Sequence, residues 1–343
     1  MTLGIGIISM AHGHAGAYAQ EIRQMDDAAV VAVWDDDAER GRKGGDSAGA
    51  EFVPDLEAML GRQDVRAVII GSPTSRHADH VEAAAAAGKD ILLQKPMALT
   101  LADCDRIAGA VRAAGVRFSM AWQMRCDPQN QWMRQTVRSG RLGRIVMVRR
   151  RHCLSTHLWK GFEDSWHVKP ELNRGMFMDD AAHPADWLYW MLGRPESVIA
   201  EIQTILNPKV PDDNGVAVYR FPGGALGILE CSFTCVAADD TTNIYGEKGT
   251  ILQRWGDGPS CSPHLAPGEK ALRFRLAGDD AWTLVDIPTP PAHGQRIRAV
   301  ARPAVEFFLG RREPIATAEE GRINVEMLLA AYASARDGRR VAL

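Results

Sequence analysis

The chain has 343 residues, which is too long for one ordinary hydrophobic core and suits two domains. Its 40 basic and 43 acidic side chains give a formal charge of −3, so no basic excess indicates a nucleic acid or an anionic membrane as a partner. The basic run Arg149–Arg151 is too short to change this, and we interpret it as a solvated strand edge. No uninterrupted apolar stretch reaches the length that spans a bilayer.

Cysteine usage and the N-terminus indicate a compartment. The chain has six cysteines and no Cys-x-x-Cys pair; the residues are Cys104, Cys126, Cys153, Cys231, Cys235 and Cys261. Scattered thiols in a chain of this size are typical of a reducing environment. The apolar N-terminus lacks the positive region of a signal peptide, and polar His12 and His14 follow it closely. We therefore predict a cytoplasmic protein.

The first 122 residues alternate short apolar runs with helical patterns. The predicted strands are Leu3–Ser9, Val30–Trp34, Ala67–Gly71, Ile91–Gln94 and Val116–Trp122. The predicted helices are Ala15–Met25, Leu56–Gly61, His77–Ala87 and Thr100–Ala114. In the last helix Thr100 and Asp103 form a predicted capping box, and Gly115 ends the helix. This alternation indicates βαβ units and a parallel sheet with helices on both faces.

From residue 123 the pattern changes to long strand-like runs with few helices. The predicted helices are Pro128–Ser139, Gly175–Met191, Arg302–Leu309 and Glu319–Ala335. The predicted strands are Arg144–His152, Ser197–Gln203, Gly215–Phe221, Ala225–Phe233, Thr241–Tyr245, Thr250–Leu252 and Trp282–Asp286. The stretch Gly256–Gly268 is rich in Pro, Gly and Ser and is predicted to be a loop. Together these runs predict an α+β domain with a large, mostly antiparallel sheet.

The turn after the first strand is where a dinucleotide-binding fold carries its glycine fingerprint. Here the three fingerprint positions are Ser9, Ala11 and His14, and none of them is glycine. Serine and alanine are small enough to let a pyrophosphate approach the backbone, whereas His14 must point away from the strand or make a specific contact. The alternative interpretation is a helix-capping turn in an unrelated α/β protein.

Asp35 strengthens the dinucleotide interpretation, because it ends the second strand 21 residues after His14. A carboxylate at this point accepts hydrogen bonds from the adenosine ribose, which favours NAD over NADP. Arg40 and Arg42 lie close enough in sequence to fold back toward it. The alternative is a surface turn, since Asp35–Asp37 are three consecutive acids.

Several further segments together resemble a known family across nearly the whole chain. They are Ser72-Pro73-Thr74-Ser75-Arg76-His77, Gln94-Lys95-Pro96, Gln123-Met124-Arg125-Cys126-Asp127-Pro128, the Asp179-x-x-x-His183 helix and Tyr245-Gly246-Glu247-Lys248-Gly249-Thr250. This pattern resembles the glucose–fructose oxidoreductase, inositol dehydrogenase and rhizopine catabolism family (Gfo/Idh/MocA). The sequence departs from the family's pattern where Gln94 replaces a glutamate and where residues 173–175 replace a run richer in glycine.

The resemblance implies an NAD-dependent oxidoreductase that acts on a sugar, a cyclitol or a sugar derivative. Lys95 ends a parallel strand, where an ammonium can hydrogen-bond the reacting oxygen. Asp179 and His183 lie four apart on a predicted helix and so share one face. We expect His183 to be the general base and Asp179 to orient it or to contact a substrate hydroxyl. The alternative for these two residues is a helix ion pair or a core histidine.

The remaining predicted site residues fall into two groups. The cofactor contacts are predicted to be Ser9, Met10, Ala11, His12, His14, Asp35, Ser72, Pro73, Thr74, His77, Gln94 and Lys95. The substrate contacts are predicted to be Arg125, Lys160, Trp166, His167, Asp179 and His183. The spacings of His152, His157, His167 and His183 match no zinc signature, so we predict no metal.

The predicted fold class is therefore α/β: a Rossmann domain at residues 1–122 and a substrate-binding, oligomerising α+β domain at 123–343. Apolar positions on an open sheet face, Val216, Val218, Ile228 and Leu229, predict a homodimer or homotetramer. Two other functions stay open. One is an NAD-retaining glycoside hydrolase of the same family, and the other is a non-catalytic ligand-binding regulator that has kept the fold.

Overall fold

The computed structural model describes residues 2–238, 240–254, 265–290 and 293–343. The chain folds into two compact units: residues 1–126 with 294–325, and residues 127–293 with 326–343. The predicted division into domains 1–122 and 123–343 stays a prediction. Cys261 and most of the predicted loop Gly256–Gly268 lie outside the described residues.

Helices in the described residues begin and end as follows. They are α1 (Gly13–Ile22), α2 (Ala38–Ala48), α3 (Leu56–Gly61), α4 (His77–Ala86), α5 (Leu101–Ala114), α6 (Gln123–Cys126), α7 (Pro128–Arg138), α8 (Pro170–Asn173), α9 (Met176–Asp180), α10 (Ala182–Leu192), α11 (His293–Arg298), α12 (Ala301–Phe308) and α13 (Ala318–Asp337). None of them combines the length and the apolar character needed to cross a membrane.

The strands of the described residues form two sheets. They are β1 (Leu3–Ile8), β2 (Ala28–Trp34), β3 (Glu51–Phe52), β4 (Ala67–Ile70), β5 (Asp90–Leu93), β6 (Phe118–Met120), β7 (Ile145–Cys153), β8 (Ser197–Gln203), β9 (Asn214–Arg220), β10 (Leu226–Ser232), β11 (Asp240–Gly246), β12 (Gly249–Arg254), β13 (Leu272–Leu276), β14 (Thr283–Val285) and β15 (Val341–Ala342). Most predicted elements are confirmed to within a few residues. The sequence analysis did not include β3, β13, β15, α2, α6, α8 or α11.

The first unit holds a parallel sheet in the order β3-β2-β1-β4-β5-β6. Its strands are buried, apolar runs because helices cover them. The strand order reverses between β1 and β4, which is the point where open α/β sheets bind ligands at the carboxyl ends of their strands. The predicted parallel Rossmann sheet is confirmed.

Local sequence signals fix the ends of α5. The Thr100 hydroxyl oxygen accepts the backbone N–H of Asp103 at 3.1 Å, as a capping threonine does. The same hydroxyl donates to the Asp103 carboxylate at 2.7 Å. Gly115 ends the helix with a φ of 65°, a left-handed conformation that glycine adopts without steric cost. The predicted start and stop of this helix are confirmed.

The second unit holds a sheet in the order β14-β13-β12-β11-β7-β10-β9-β8-β15. Its neighbouring strands are antiparallel except for the parallel pair β7 and β10. The prediction of a mostly antiparallel sheet is therefore confirmed. On β8, β9 and β10 the register places Ile199, Val218 and Ile228 side by side on one face.

Two sequence interpretations of this sheet are wrong. The run Arg149–Arg151 is not a solvated edge, because β7 lies at the centre of the sheet and the Arg150 side chain is fully buried. The Arg150 guanidinium lies 4.8 Å from the Trp187 ring centroid and donates to the Thr242 hydroxyl. Leu229 is also fully buried and points to the face opposite Val218 and Ile228, since side chains alternate along a strand.

The predicted helix Gly175–Met191 is two helices, α9 and α10, which meet at Ala181. Pro184 explains the break. A proline has no N–H to bond the carbonyl of Asp180, and its ring clashes with that carbonyl in a continuous helix. The break falls between Asp179 and His183, and Ala181 at the junction keeps right-handed helical angles, so the predicted shared face of these two residues stays a prediction.

Candidate active site

The turn that follows β1 is held by side chains rather than by glycines. Ser9 has a φ of 67°, which is rare for a residue with a side chain. Its hydroxyl accepts the backbone N–H of Ala11 at 3.2 Å. The backbone N–H of His14 donates to Nδ1 of His12 at 3.3 Å, so the His12 side chain caps α1. The unusual histidines of the turn therefore order the N-terminus of this helix.

Asp35 follows β2, and its side chain is fully buried beside this turn. Its Oδ2 accepts the backbone N–H of Met10 at 2.7 Å, and its Oδ1 accepts the backbone N–H of Asp37 at 2.9 Å. The Arg40 guanidinium folds back onto it, with Nε 2.9 Å from Oδ2 and Nη2 2.5 Å from Oδ1. Burial raises the pKa of Asp35, but these hydrogen bonds outweigh it and hold the pKa below its ordinary value.

Fingerprint glycines let the first helix pack closely against the sheet. In this chain another position allows this close packing. Gly71 directly follows β4 and faces the start of α1. A Cβ on Gly71 would lie 2.8 Å from the Cβ of Ala15 and 2.8 Å from the Ser9 carbonyl oxygen. Only glycine fits this contact between helix and sheet. With Asp35 at the end of β2, the residues present fit a bound dinucleotide at the switch point of the sheet.

His77 joins the loops that follow β4 and β5. Its Nε2 lies 3.1 Å from the carbonyl oxygen of Ser72, and its Nδ1 lies 3.0 Å from that of Pro96 and 3.2 Å from that of Met97. The side chain is buried, and this burial lowers the pKa of His77 to about 4. Burial thus disfavours the charged ring, and a neutral ring donates from only one of its two nitrogens to the carbonyl groups of these loops. The other predicted residues here, Pro73 and Thr74, are also buried.

Lys95 is buried immediately after β5, next to Gln94. The Gln94 side chain donates from Nε2 to the hydroxyl of Tyr18 at 2.7 Å and accepts the backbone N–H of Lys95 at 3.1 Å. A carboxylate at position 94 would accept this same N–H. The amide of Gln94 thus keeps the acceptor that orients Lys95 while it removes a charge from the buried segment.

In the second unit, two neighbouring carboxylates face two different histidines. Oδ2 of Asp179 lies 2.8 Å from Nδ1 of His167, and Oδ1 of Asp180 lies 3.8 Å from Nε2 of His183. The ring of His152 lies 5.3 Å from that of His183, centroid to centroid. Asp179 and His183 are almost completely buried, whereas a fifth of the His167 side chain is exposed. Histidines beside carboxylates are the kind of pair that general acid–base sites use.

Aromatic rings surround His167. Trp166 stacks on it with a centroid distance of 3.9 Å, and the Phe162 ring lies nearly parallel to it at 6.1 Å. Phe162 also lines a cavity of about 410 Å³ together with Lys160 and Trp159. Rings and polar groups in this combination suit a polyhydroxylated ligand. The structure therefore brings Trp166, His167 and Asp179 together and places Lys160 at a neighbouring cavity.

Arg125 lies in the first unit, where its Nη1 donates to Glu320 Oε1 at 2.8 Å and to the Ile315 carbonyl oxygen at 3.3 Å. Its guanidinium is thus part of an internal ion pair, and its predicted substrate contact stays a prediction. In the part of the chain that the structure describes, no group of three or more His, Cys, Asp or Glu side chains is placed to hold a metal ion.

Sequence reasoning missed three residues that shape these sites: Gly71, Tyr18 and Asp180. Gly71 carried a usable signal, because a glycine directly after a strand of a parallel sheet marks a close approach of backbone. Arg40 was noted only as a residue able to fold back. Tyr18 and Asp180 carried no signal, since their partners depend on how α1 packs and on where α9 ends.

A sheet of this topology with a carboxylate after β2 and a buried lysine after β5 defines a dinucleotide-binding oxidoreductase class. Comparison with known proteins agrees. Residues 3–122 match the oxidoreductase family model described as an NAD-binding Rossmann fold, and residues 130–252 match the model of the GFO/IDH/MocA C-terminal domain. The chain belongs to the Gfo/Idh/MocA oxidoreductase family, as the motifs predicted, and its cofactor class is NAD.

Two curated relatives and one solved structure illustrate the similarity. An inositol 2-dehydrogenase of Acidothermus cellulolyticus is 34% identical over 261 residues, which are 72% of this chain and 70% of the relative. A 1,5-anhydro-D-fructose reductase of Ensifer adhaerens is 27% identical over 90% of both chains. The WlbA dehydrogenase of Bordetella pertussis, solved with NADH and UDP-GlcNAcA, has a TM-score of 0.81 at 25% identity and covers 100% of this chain and 98% of its own.

Proposed function

We propose that this protein transfers a hydride between the nicotinamide of NAD and a hydroxyl or carbonyl carbon of a sugar, a cyclitol or a sugar derivative. The observation that carries the proposal is Lys95, a buried lysine side chain at the carboxyl end of a parallel strand. Relatives named for inositol and anhydrofructose support the substrate class.

In this proposal each side chain has a defined role. Lys95 hydrogen-bonds the reacting oxygen and stabilises the negative charge that develops there. His183 takes the hydroxyl proton during oxidation and returns it during reduction, and Asp179 orients or contacts the substrate. Bound NAD supplies the hydride acceptor. Further substrate contacts come from Arg125, Lys160, Trp166 and His167.

The cofactor contacts are proposed at the turn after β1, at Asp35, and at the loops after β4 and β5. These residues are Ser9, Met10, Ala11, His12, His14, Asp35, Ser72, Pro73, Thr74, His77, Gln94 and Lys95. NAD is the preferred cofactor, because the Asp35 carboxylate repels a 2′-phosphate. At an effective dielectric constant near 20, two bare unit charges about 4 Å apart repel by roughly 4 kcal/mol, and the ion pair of Asp35 with Arg40 reduces this repulsion. Titration of both cofactors into cofactor-free protein measures this preference, and equal or tighter binding of NADP would contradict it.

The proposed assembly is a homodimer or homotetramer in the cytoplasm. The open face of the second unit's sheet supports this, because Ile199, Val218 and Ile228 form an apolar row on it and Val216 is nearly half exposed. Light scattering at micromolar concentration tests the assembly. A strictly monomeric mass would contradict it.

The experiment that tests the reaction begins with ligand binding. Thermal unfolding is measured with NAD present against a panel of sugars, sugar acids and inositols, since a ligand that binds the folded state raises the Tm. Each compound that raises the Tm is then assayed by nicotinamide absorbance. We expect reduction of NAD by at least one of them. Turnover of a glycoside with no net change in nicotinamide absorbance would instead favour the hydrolase alternative.

A further inference from the structure

The first turn of α9 is held at two of its backbone N–H groups. The N–H groups at the start of a helix have no partner within that helix. In α9 the N–H of Met176 donates to the carbonyl oxygen of Pro211 at 3.0 Å, and the N–H of Met178 donates to the hydroxyl of Tyr332 at 3.0 Å. Pro211 lies between β8 and β9, and Tyr332 lies on α13. Two distant segments of the chain therefore fix where α9 begins.

The Tyr332 hydroxyl is in turn oriented by Asp212. It donates to Oδ2 of Asp212 at 2.7 Å, which leaves the lone pairs of its oxygen to accept the N–H of Met178. Burial and the neighbouring carboxylate raise the pKa of Tyr332 well above its ordinary value, so the hydroxyl keeps the proton that it donates. Asp212 thus determines which way this hydroxyl points.

The backbone around this contact adopts conformations that residues with side chains rarely take. The φ angle is 67° at Arg174 and 60° at Asp212, and both values lie in the left-handed region. A Cβ on Gly175 would lie 2.2 Å from Oδ2 of Asp212, so glycine is needed for this carboxylate to reach the start of α9. The Arg174 guanidinium lies 4.8 Å from the Tyr332 ring centroid. These contacts involve the run 173–175, where the sequence departs from the family's pattern.

The turn held in this way carries Asp179. Helix α9 has five residues, and Asp179 directly follows Met178. The N–H of Asp179 donates to the Gly175 carbonyl oxygen at 3.2 Å, and its Oδ2 lies 2.8 Å from Nδ1 of His167. A helix this short is unstable on its own because helix nucleation is costly, so its geometry depends on the contacts at its ends. A shift of the first turn therefore moves the Asp179 carboxylate relative to His167.

We propose that Tyr332 and Asp212 are positioning residues of the active site, which hold the first turn of α9 and thereby fix the place of Asp179. Both act through the backbone of α9 rather than on the substrate. The Tyr332 hydroxyl is the central group, because it accepts from Met178 and donates to Asp212. The proposal rests on the proposed function, which assigns Asp179 to the substrate.

The test measures kcat/KM of Tyr332→Phe in the full chain, on a substrate confirmed by the ligand screen. Phenylalanine keeps the ring that packs edge-on against Phe177 and removes only the hydroxyl. We expect kcat/KM to fall about tenfold or more, because Met178 loses its acceptor and Asp179 is displaced. In an Asp179→Asn background the same substitution should lower kcat/KM less than about twofold, since residues that act as a unit are not additive. Losses that multiply in the double variant would overturn the proposal.

The matched control is Tyr219→Phe. The Tyr219 hydroxyl also hydrogen-bonds α13, where it donates to the Met327 carbonyl oxygen at 3.0 Å. Both substitutions therefore remove one tyrosine hydroxyl that hydrogen-bonds within the second unit, but only that of Tyr332 bonds α9. We expect Tyr219→Phe to keep kcat/KM within about twofold of the parent value. An equal loss in the two variants would overturn the proposal.

Two substitutions at position 212 test the orientation of the hydroxyl. Asp212→Asn keeps an acceptor for Tyr332, and asparagine tolerates the left-handed conformation, whereas Asp212→Ala loses both properties. We expect kcat/KM of the asparagine variant to exceed that of the alanine variant by about threefold or more. Equal values in the two variants would contradict the role of Asp212.

Hydrogen exchange at the N–H of Met178 gives a readout that does not depend on activity. We expect exchange to be about tenfold faster in Tyr332→Phe than in the parent chain or in Tyr219→Phe, because this N–H loses its acceptor. Unchanged exchange in Tyr332→Phe would overturn the proposal. A parent chain that turns over no compound of the panel would instead contradict the proposed function, while faster exchange at Met178 would still support the anchoring of α9 by Tyr332.

Discussion

A buried histidine in the first unit, His77, lies among backbone carbonyl groups, whereas two histidines in the second unit, His167 and His183, lie beside carboxylates. His77 faces three carbonyl oxygens, and Gln94 accepts the N–H of Lys95. By contrast, His167 pairs with Asp179, and His183 lies near Asp180. The two regions use similar residue types in different chemical settings.

This difference separates positioning from proton transfer. The His77 ring is buried among carbonyl groups. This burial lowers the pKa of His77 to about 4, so the ring holds its position without taking up a proton near neutral pH. A histidine beside a carboxylate can gain and lose a proton, because the carboxylate fixes the ring tautomer and stabilises the imidazolium. We infer that the first unit orients Lys95 and the cofactor, while the second unit supplies the acid–base chemistry. Substitutions at five residues test this contrast.

The largest effect is expected at Lys95 and His183, the two residues to which the proposed function assigns the reaction. Lys95→Ala and His183→Ala should each lower kcat/KM by about 10²-fold or more, because one removes the cation at the reacting oxygen and the other removes the base. Steady-state kinetics on a confirmed substrate measures this, with far-ultraviolet circular dichroism to check the fold. Lys169→Ala, which changes an exposed lysine, serves as the control. A fully active Lys95→Ala enzyme would overturn the assignment of Lys95.

The next effect concerns stability rather than catalysis. His77 binds protons less readily in the folded state than in the unfolded state, since its pKa falls from 6.5 to about 4. The part of the free energy of unfolding that depends on His77 protonation is therefore highest above pH 6.5. It falls by up to roughly 3 kcal/mol as the pH drops to 4. In His77→Phe, the free energy of unfolding should depend less steeply on pH within this window. Urea unfolding from pH 4 to 7.5 measures both slopes, and equal slopes would refute the prediction.

The sequence predicted the parallel sheet well, because buried strands and capped helices carry strong local signals. It missed α2, whose sequence contains three glycines and many charges. The structure explains why. A Cβ on Gly41 would lie 2.3 Å from a Phe52 ring carbon, and one on Gly44 would lie 2.5 Å from Cγ of Met10. The buried face of α2 is built from glycine, so no apolar period reveals the helix.

The site was harder to predict than the fold. Lys95 and Asp35 could be predicted from the sequence, because the strands of a parallel sheet end at one edge and ligands bind there. The contact between His167 and Asp179 could not be predicted, since the two residues lie 12 apart and meet only after several short helices and turns. Pro184 was visible in the sequence and does predict the break between α9 and α10.

A smaller effect is expected when the pair in the second unit is altered. His167→Gln should lower kcat/KM about tenfold, equivalent to about 1.4 kcal/mol, because Asp179 loses a partner that can be charged. The pH profile is the decisive measurement. A changed shape of the profile would support a role of this pair in proton transfer, whereas a purely structural defect lowers the profile uniformly. His167→Arg keeps a donor to Asp179 with a fixed charge, so it should restore activity at neutral pH but not the parent profile.

The smallest effect is expected at Gln94, where the family carries a glutamate. In Gln94→Glu a carboxylate oxygen can still accept the N–H of Lys95, and the Tyr18 hydroxyl can donate to the carboxylate instead of accepting from the amide. Every hydrogen bond of the segment then keeps a partner, so the free energy of unfolding should change by less than about 1 kcal/mol. Gln94→Leu removes both bonds and should cost about 1–3 kcal/mol. Denaturant unfolding of the two variants compares them directly. If the free energy of unfolding fell equally in both variants, this buried position would require an uncharged amide rather than only an acceptor for the N–H of Lys95.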